Sequence, residues 1–501
     1  MKFEVPKNEE DYQYHLRKFQ LDELLKQINI ESAELFANFR SADISGTNLT
    51  SFSFVEVHTG IRHEQPVYIT GWNLIDLAYY AIKYTHDYRG KTILKDELKT
   101  LVSFTEAINA MREADRFDKE KLGRNPYFFI YLWGFFGEQQ KIQLPGKVFE
   151  NLSRELYILF ELAPQIGSVI DANKIVEHEV GLCAHRFVLA LFLAWLVSIR
   201  YPTQADWEQK LIWSEILSLE DFRKVISRFT ANYGDVRDSD FGRQFLYTKP
   251  FIKTQKREVI SINCYLNFFL VEHSVLWCIR DHYLRKDDRG FTSEFGVLFE
   301  AYFEELLTTV LNRTEYEKIP EEEKERADWK IVTGKHKFLI EQKSALLGLK
   351  AKQQDSNIDT TILYCKRNLI KAISQLEETE KDFGDGPYIK IILLYDDYLS
   401  TGLLDHVFAL PECKRENDGY YWLANIDEIE SLLFLQKHNE KLADEIIDEI
   451  IKRKITRSNE GKSISHLLQE KGIRKNPYIS QPKFIKYIER LKCDSRAILD
   501  N

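Results

Sequence analysis

The chain has 501 residues, 44% of them hydrophobic and 29% charged, with a formal net charge of −9 and a pI near 5.9. That length and apolar content exclude a disordered chain and leave room for roughly two to four domains. The acidic balance excludes a protein that coats nucleic acid by overall charge. Six cysteines scattered without a Cys-x-x-Cys exclude a disulfide framework and fit a reduced, cytoplasmic setting.

The opening residues carry Lys2, Glu4 and Pro6 and lack the apolar stretch of a signal peptide. Residues 1–255 read as a mainly helical domain suited to sensing, regulation or oligomerisation, through which a second copy or a partner protein would bind. Strands are predicted at 51–57 and 66–70, where Gly60 and Gly71 break the helical pattern. The apolar runs 127–136 and 187–199 fall short of the about 20 residues a membrane span needs. They predict buried elements and no membrane partner. His178, Cys183 and His185 lie close together, but their spacing fits no common zinc pattern, and a helix interior accounts for them better. Residues 256–290 form a helical connector, with an apolar helix predicted over 260–283.

Residues 291–440 carry the chemistry. Thr292 or Ser293 suits the cap of a helix whose apolar stripe is Phe299, Tyr302, Phe303, Leu306 and Val310, with Glu300 and Glu304 on another face. A short strand follows at 316–319. Residues 328–343 then read as a β-hairpin, with Gly334 and Lys335 as the central residues of a type II′ turn. This register pairs Thr333 with His336, Ile331 with Phe338, Trp329 with Ile340, and Asp328 with Glu341. Lys343 shares the face of Glu341. Two carboxylates opposed across a ladder, with Cβ atoms about 5 Å apart, repel. A divalent cation turns that repulsion into a site, and hard oxygen ligands suit Mg²⁺, with Mn²⁺ as the alternative. The tripeptide Glu-x-Lys recurs elsewhere, for example at Glu97, Glu208, Glu322 and Glu412. Only Glu341 ends an apolar strand and meets an acid at the matching hairpin position.

Beyond the hairpin, Asp359 is the predicted cap of a long helix with Ile362, Leu369, Ile370, Ile373 and Leu376 on one face and Arg367, Lys371 and Gln375 at spacing four on another. A strongly apolar strand is expected at 389–395, and one more at 420–423, with a helix starting after Asn425 or Asp427. The order αβββαβ predicts a mixed sheet with helices on both faces.

Asp328 with Glu341-Gln342-Lys343 resembles the signature of the PD-(D/E)XK nuclease superfamily, the restriction-endonuclease-like fold. The resemblance spans about residues 291–400, and Ala327 stands where the family's name-giving Pro would be. It implies that Asp328 and Glu341 bind Mg²⁺ and that Lys343 activates or positions water. It makes Glu300 a fourth catalytic group, and Lys371, Gln375 and Arg367 contacts to nucleic acid. The implied activity is phosphodiester hydrolysis, of DNA first and RNA second. Nucleases of this type with added sensor domains are frequent in bacterial defence against phage. The competing reading is a non-catalytic interaction scaffold with a structural hairpin. Charge is segregated. Residues 335–371 hold eight Lys/Arg against three acids, and 452–496 hold thirteen against four. This fits a duplex held by the hairpin region and by a basic helical C-terminal segment, 441–501, away from an acidic body. No Gly-x-x-x-x-Gly-Lys-Ser/Thr motif is present.

Overall fold

The computed structural model describes residues 6–41, 53–57, 65–87, 89–119, 125–132, 147–286, 290–320, 325–344, 358–395, 402–413, 419–456, 458 and 461–499. Helices dominate. The strands form a two-stranded, a three-stranded and a five-stranded sheet. Residues 51 and 52 of the first predicted strand, 133–136 of the first apolar run, and the bases Lys350 and Lys352 lie outside the described residues.

In the helical half, β1 (Ser53–Val57) pairs antiparallel with β2 (Gln65–Ile69). A second sheet was not anticipated. In it β3 (Thr230–Asn232) runs parallel to β4 (Phe251–Lys253), which pairs antiparallel with β5 (Val259–Ser261). β5 takes Ile260 out of the helix predicted over 260–283. That helix begins at Cys264 and ends at Arg285, and the Asn263 side chain caps it by accepting from the Tyr265 N–H at 2.9 Å. The largely apolar run 259–262 reads equally well as strand or helix turn, so only this cap marks the boundary.

The five-stranded sheet has the order β10-β9-β8-β7-β6. Here β6 is Tyr316–Lys318, β7 Trp329–Thr333, β8 His336–Lys343, β9 Ile389–Leu394 and β10 Tyr421–Asn425. The β6–β7 and β7–β8 pairs are antiparallel, and β8–β9 and β9–β10 are parallel. β9, enclosed on both faces, is apolar except for Lys390, as a central parallel strand requires. The hairpin register pairs Trp329 with Ile340, Ile331 with Phe338 and Thr333 with His336, as the alternation predicts. Gly334 has φ +56°, and Lys335 does not have a positive φ, which matches a type II′ turn. A Cβ at Gly334 would also meet Gln436 Nε2 at 2.7 Å and Asp444 Oδ1 at 3.1 Å. Gly334→Ala is therefore expected to cost about 1–2 kcal/mol, read as a lowered urea midpoint.

One face of this sheet (Trp329, Ile331, Phe338, Ile340, Ile391, Leu393) joins a large core shared with the Gly290–Val310 helix and the helical half. The other face (Leu339, Ile392, Leu394, Leu423) packs on Leu369, Ala372, Ile373 and Leu376 in a second core. The Gly290–Val310 helix starts ahead of the predicted cap at Thr292, because buried Phe291 extends its apolar stripe by a turn. The helix after the hairpin runs as Ile358–Tyr364, a π-helical stretch Cys365–Ile370, and Lys371–Phe383. Asp359 lies inside its first turn and is not its cap. Asn425 closes a capping box with Glu428 at the head of the Ile426–His438 helix.

The C-terminal segment folds back on the helical half. In its last helix, Pro482–Leu499, the Phe484 ring meets Tyr157 at 4.8 Å and Asp494 meets His185 at 2.6 Å. Several of its bases are engaged inside the protein: Arg453 with Glu470, Lys483 with Glu305, and Lys486 with Glu161. Among the described residues no single helix is long and apolar enough to cross a membrane.

Candidate metal-binding carboxylate site

The site begins with the backbone of Asp328. Its N–H donates to Ile340 O at 3.0 Å, and its carbonyl accepts from Ile319 N at 2.9 Å. The preceding residue, buried Ala327, donates its N–H to Thr379 Oγ1 at 2.8 Å. Three segments thus fix the residue at the start of β7. The Asp328 carboxylate accepts the Gln342 N–H at 2.6 Å, a charge-assisted bond that turns it toward β8.

Glu341 follows Ile340 on β8, just past the Trp329–Ile340 pair at which the ladder ends. The expected Asp328–Glu341 pair is not part of the ladder, because the Asp328 N–H turns to Ile340 O, yet the two acids still act on one another through charge. Its side chain is only 3% exposed. One oxygen, Oε1, accepts from Lys343 Nζ at 2.5 Å, while Oε2 is buried without a hydrogen-bond partner. Burial, and then the charge of Asp328, push the Glu341 carboxyl up to about 8, against the opposing pull of Lys343 and Lys371. Lys343 also donates to Gln375 Oε1 at 3.2 Å, and Gln375 Nε2 donates to the Arg326 carbonyl at 3.2 Å. Asp328, Glu341, Lys343 and Gln375 therefore form one cluster between the hairpin and the Lys371–Phe383 helix.

The other predicted residues stand further out. Lys371 is half-exposed and ion-paired with Glu325 at 2.6 Å, close enough to act on Glu341 through its charge. Glu300 sits on the helix that covers the opposite sheet face and is ion-paired with Lys318. The Glu300 carboxylate raises the Lys318 ammonium above its usual range, with smaller contributions from Glu304 and Asp328. Lys318 thus links Glu300 to Asp328 through charge. Arg367 is exposed on the π-helical stretch. A π turn inserts an extra residue, so Arg367 leaves the row that regular spacing draws through Lys371 and Gln375.

Two supports went unpredicted. Gln342, the middle residue of Glu-x-Lys, points to the far side of the sheet. Its Oε1 accepts from Trp329 Nε1 at 2.6 Å, and its Nε2 donates to Phe299 O at 3.4 Å, tying the hairpin to the Gly290–Val310 helix. Thr379 anchors the approach to Asp328, and its signal was its place one turn beyond Gln375. The zinc pattern considered at His178, Cys183 and His185 is not assembled. His185 pairs with Asp494, and exposed Cys183 precedes the Ala184–Ser198 helix as its N-cap. These residues straddle a helix break and do not share one helix interior.

No protein-family model, curated protein or solved structure matches this chain.

Proposed function

We propose that this protein is a Mg²⁺-dependent nuclease built on a restriction-endonuclease-like core, hydrolysing phosphodiester bonds in DNA. The observation that carries the reading is the pairing of half-buried Asp328 with buried Glu341, with one Glu341 oxygen lacking any partner and Lys343 beside it. A buried carboxylate oxygen without a donor costs about 1–3 kcal/mol, and adjacent Asp328 adds like-charge repulsion. A hard dication relieves both, so the donor set fits Mg²⁺ or Mn²⁺.

Asp328 and Glu341 would hold the ion. When bound, it supplies Lewis acidity toward a phosphoryl oxygen and acidifies nearby water. Lys343 then contributes its positive charge beside the scissile phosphate and orients water, with Gln375 fixing where its ammonium sits. Glu300 and Lys318 form the outer rim of the site, and Lys371 and Arg367 meet the nucleic-acid backbone as exposed cations. The strand order, parallel from β8 to β10 and antiparallel toward β6, supports the same core. A role in defence against phage or foreign DNA, with the helical half as sensor, follows from the nuclease reading alone.

The test is cleavage of supercoiled, linear and single-stranded DNA, and of RNA, by the full chain and by Asp328→Ala, with Mg²⁺, Mn²⁺ or EDTA. Metal-dependent cutting of DNA that is lost in Asp328→Ala is the expected result. Equal cutting by both proteins, or none by the parent on any substrate, would overturn the reading. Cutting confined to RNA would keep the site and change the substrate.

A further inference from the structure

Remote from the carboxylate pair, the ends of two helices bring together a different donor set. His178 and Glu179 lie in the last turn of the Ala172–Val180 helix, which Gly181 terminates at φ +72°. His282 lies in the last turn of the Cys264–Arg285 helix. Each residue offers one ligand atom, and the three atoms lie within 4.8 Å of one another. Glu179 Oε1 is 2.7 Å from His282 Nδ1 and 3.3 Å from His178 Nδ1. A tetrahedral ion with bonds of about 2.0–2.1 Å places neighbouring ligand atoms about 3.3 Å apart. The His178–Glu179 spacing already meets that value, and His282 needs to withdraw by roughly half an ångström.

We infer that His178, Glu179 and His282 form a binding site for a zinc-class transition-metal ion that links the two helices, with its fourth position left to water.

Two imidazoles and one carboxylate suit Zn²⁺ and its neighbours Co²⁺, Ni²⁺ and Cu²⁺, and are a poor set for Mg²⁺ or Ca²⁺. The second Glu179 oxygen is held by Arg285 and lies 3.8 Å from Arg228 Nη2, so the carboxylate is oriented with Oε1 toward the rings. Those guanidiniums, and Lys249 across the adjoining cleft of about 460 Å³, repel a dication. Asp281 and the negative ends of the two helices oppose that repulsion. The 71% exposure of the His178 side chain leaves a path for the ion.

The experiment is calorimetric titration of Zn²⁺ into the chelator-treated full chain carrying Asp328→Asn and Glu341→Gln. That background removes the carboxylate pair of the sheet, so the result does not depend on the nuclease reading. One Zn²⁺ per chain is expected, weakened about 100-fold or more by His178→Ala and by His282→Ala. Co²⁺ should give the visible bands of a four-coordinate ion in the parent and lose them in both variants. His178 is exposed, so its variant should keep the parent's metal-free unfolding midpoint even if His282→Ala does not. No saturable Zn²⁺ binding below about 100 µM, or equal affinity in parent and His178→Ala, overturns the site.

Discussion

Glu341→Gln is expected to lower Mg²⁺-dependent cleavage by at least about 10³-fold while making the metal-free protein more stable at alkaline pH. The two effects share one cause. The Glu341 carboxyl has a value of about 8 in the folded chain against an ordinary value of 4.5. Between those values the unfolded chain releases a proton that the folded chain keeps. Stability therefore falls as pH rises through this window, and levels off above the folded value. The loss has an upper limit of about 5 kcal/mol, corresponding to about 5 °C in Tm for a chain of this length. Glutamine keeps the shape and never ionises, so the variant's advantage should be absent at about pH 4.5 and full above about pH 8. Added Mg²⁺ should raise the Tm of the parent and leave the variant unchanged. Melting curves across that range, with and without Mg²⁺, read all three effects. Parallel curves for the two proteins at every pH would remove the buried charge from the account, and with it the reason for an ion.

Arg154→Met is expected to destabilise the protein by about 3–5 kcal/mol, the largest purely structural effect of a single change. Arg154 is 3% exposed. Its Nε and Nη2 reach the two oxygens of fully buried Glu430 at 2.7 and 2.6 Å, and Nη2 reaches Asp427 at 3.2 Å. Tyr302 and Asn476 donate to the same Glu430, and Lys147 pairs with Asp427. Methionine fills much of the volume and leaves two carboxylates without their shared cation, which is the costly way to break such a network. Adding Glu430→Gln should restore part of the loss, because it removes one orphaned charge. Chemical denaturation midpoints of the single and double variants measure this. A single variant within about 1 kcal/mol of the parent would mean that the network contributes little.

The hairpin was legible because everything that defines it is local. Alternation assigns the faces, Gly334 sets the turn, and the turn sets the register as far as Trp329 and Ile340, which leaves Asp328 and Glu341 as neighbours at the end of the ladder. Gln375 was legible for the same reason, since regular helical spacing places it with Lys371. Arg367 was drawn into that row by the same rule and fell outside it, because no residue pattern announces the π turn at Cys365–Ile370. Lys318 was missed as the partner of Glu300 because their meeting depends on how the Gly290–Val310 helix crosses the sheet edge. The Arg154 network joins residues 276 positions apart, and the His178–Glu179–His282 group spans two helices. Such contacts leave no periodic trace, and each member taken singly reads as an ordinary polar residue.

Among the described residues, one large core takes in side chains from Tyr12 to Ile498 and much of one face of the five-stranded sheet. A fragment beginning near residue 291 would uncover Phe291, Phe295, Tyr302 and Phe484 to water together with the ionic cluster around Glu430. It would be sticky and poorly folded whatever its catalytic residues can do, and its inactivity would carry no information about the chemistry. Dissection of this protein has to proceed by point substitution within the intact chain.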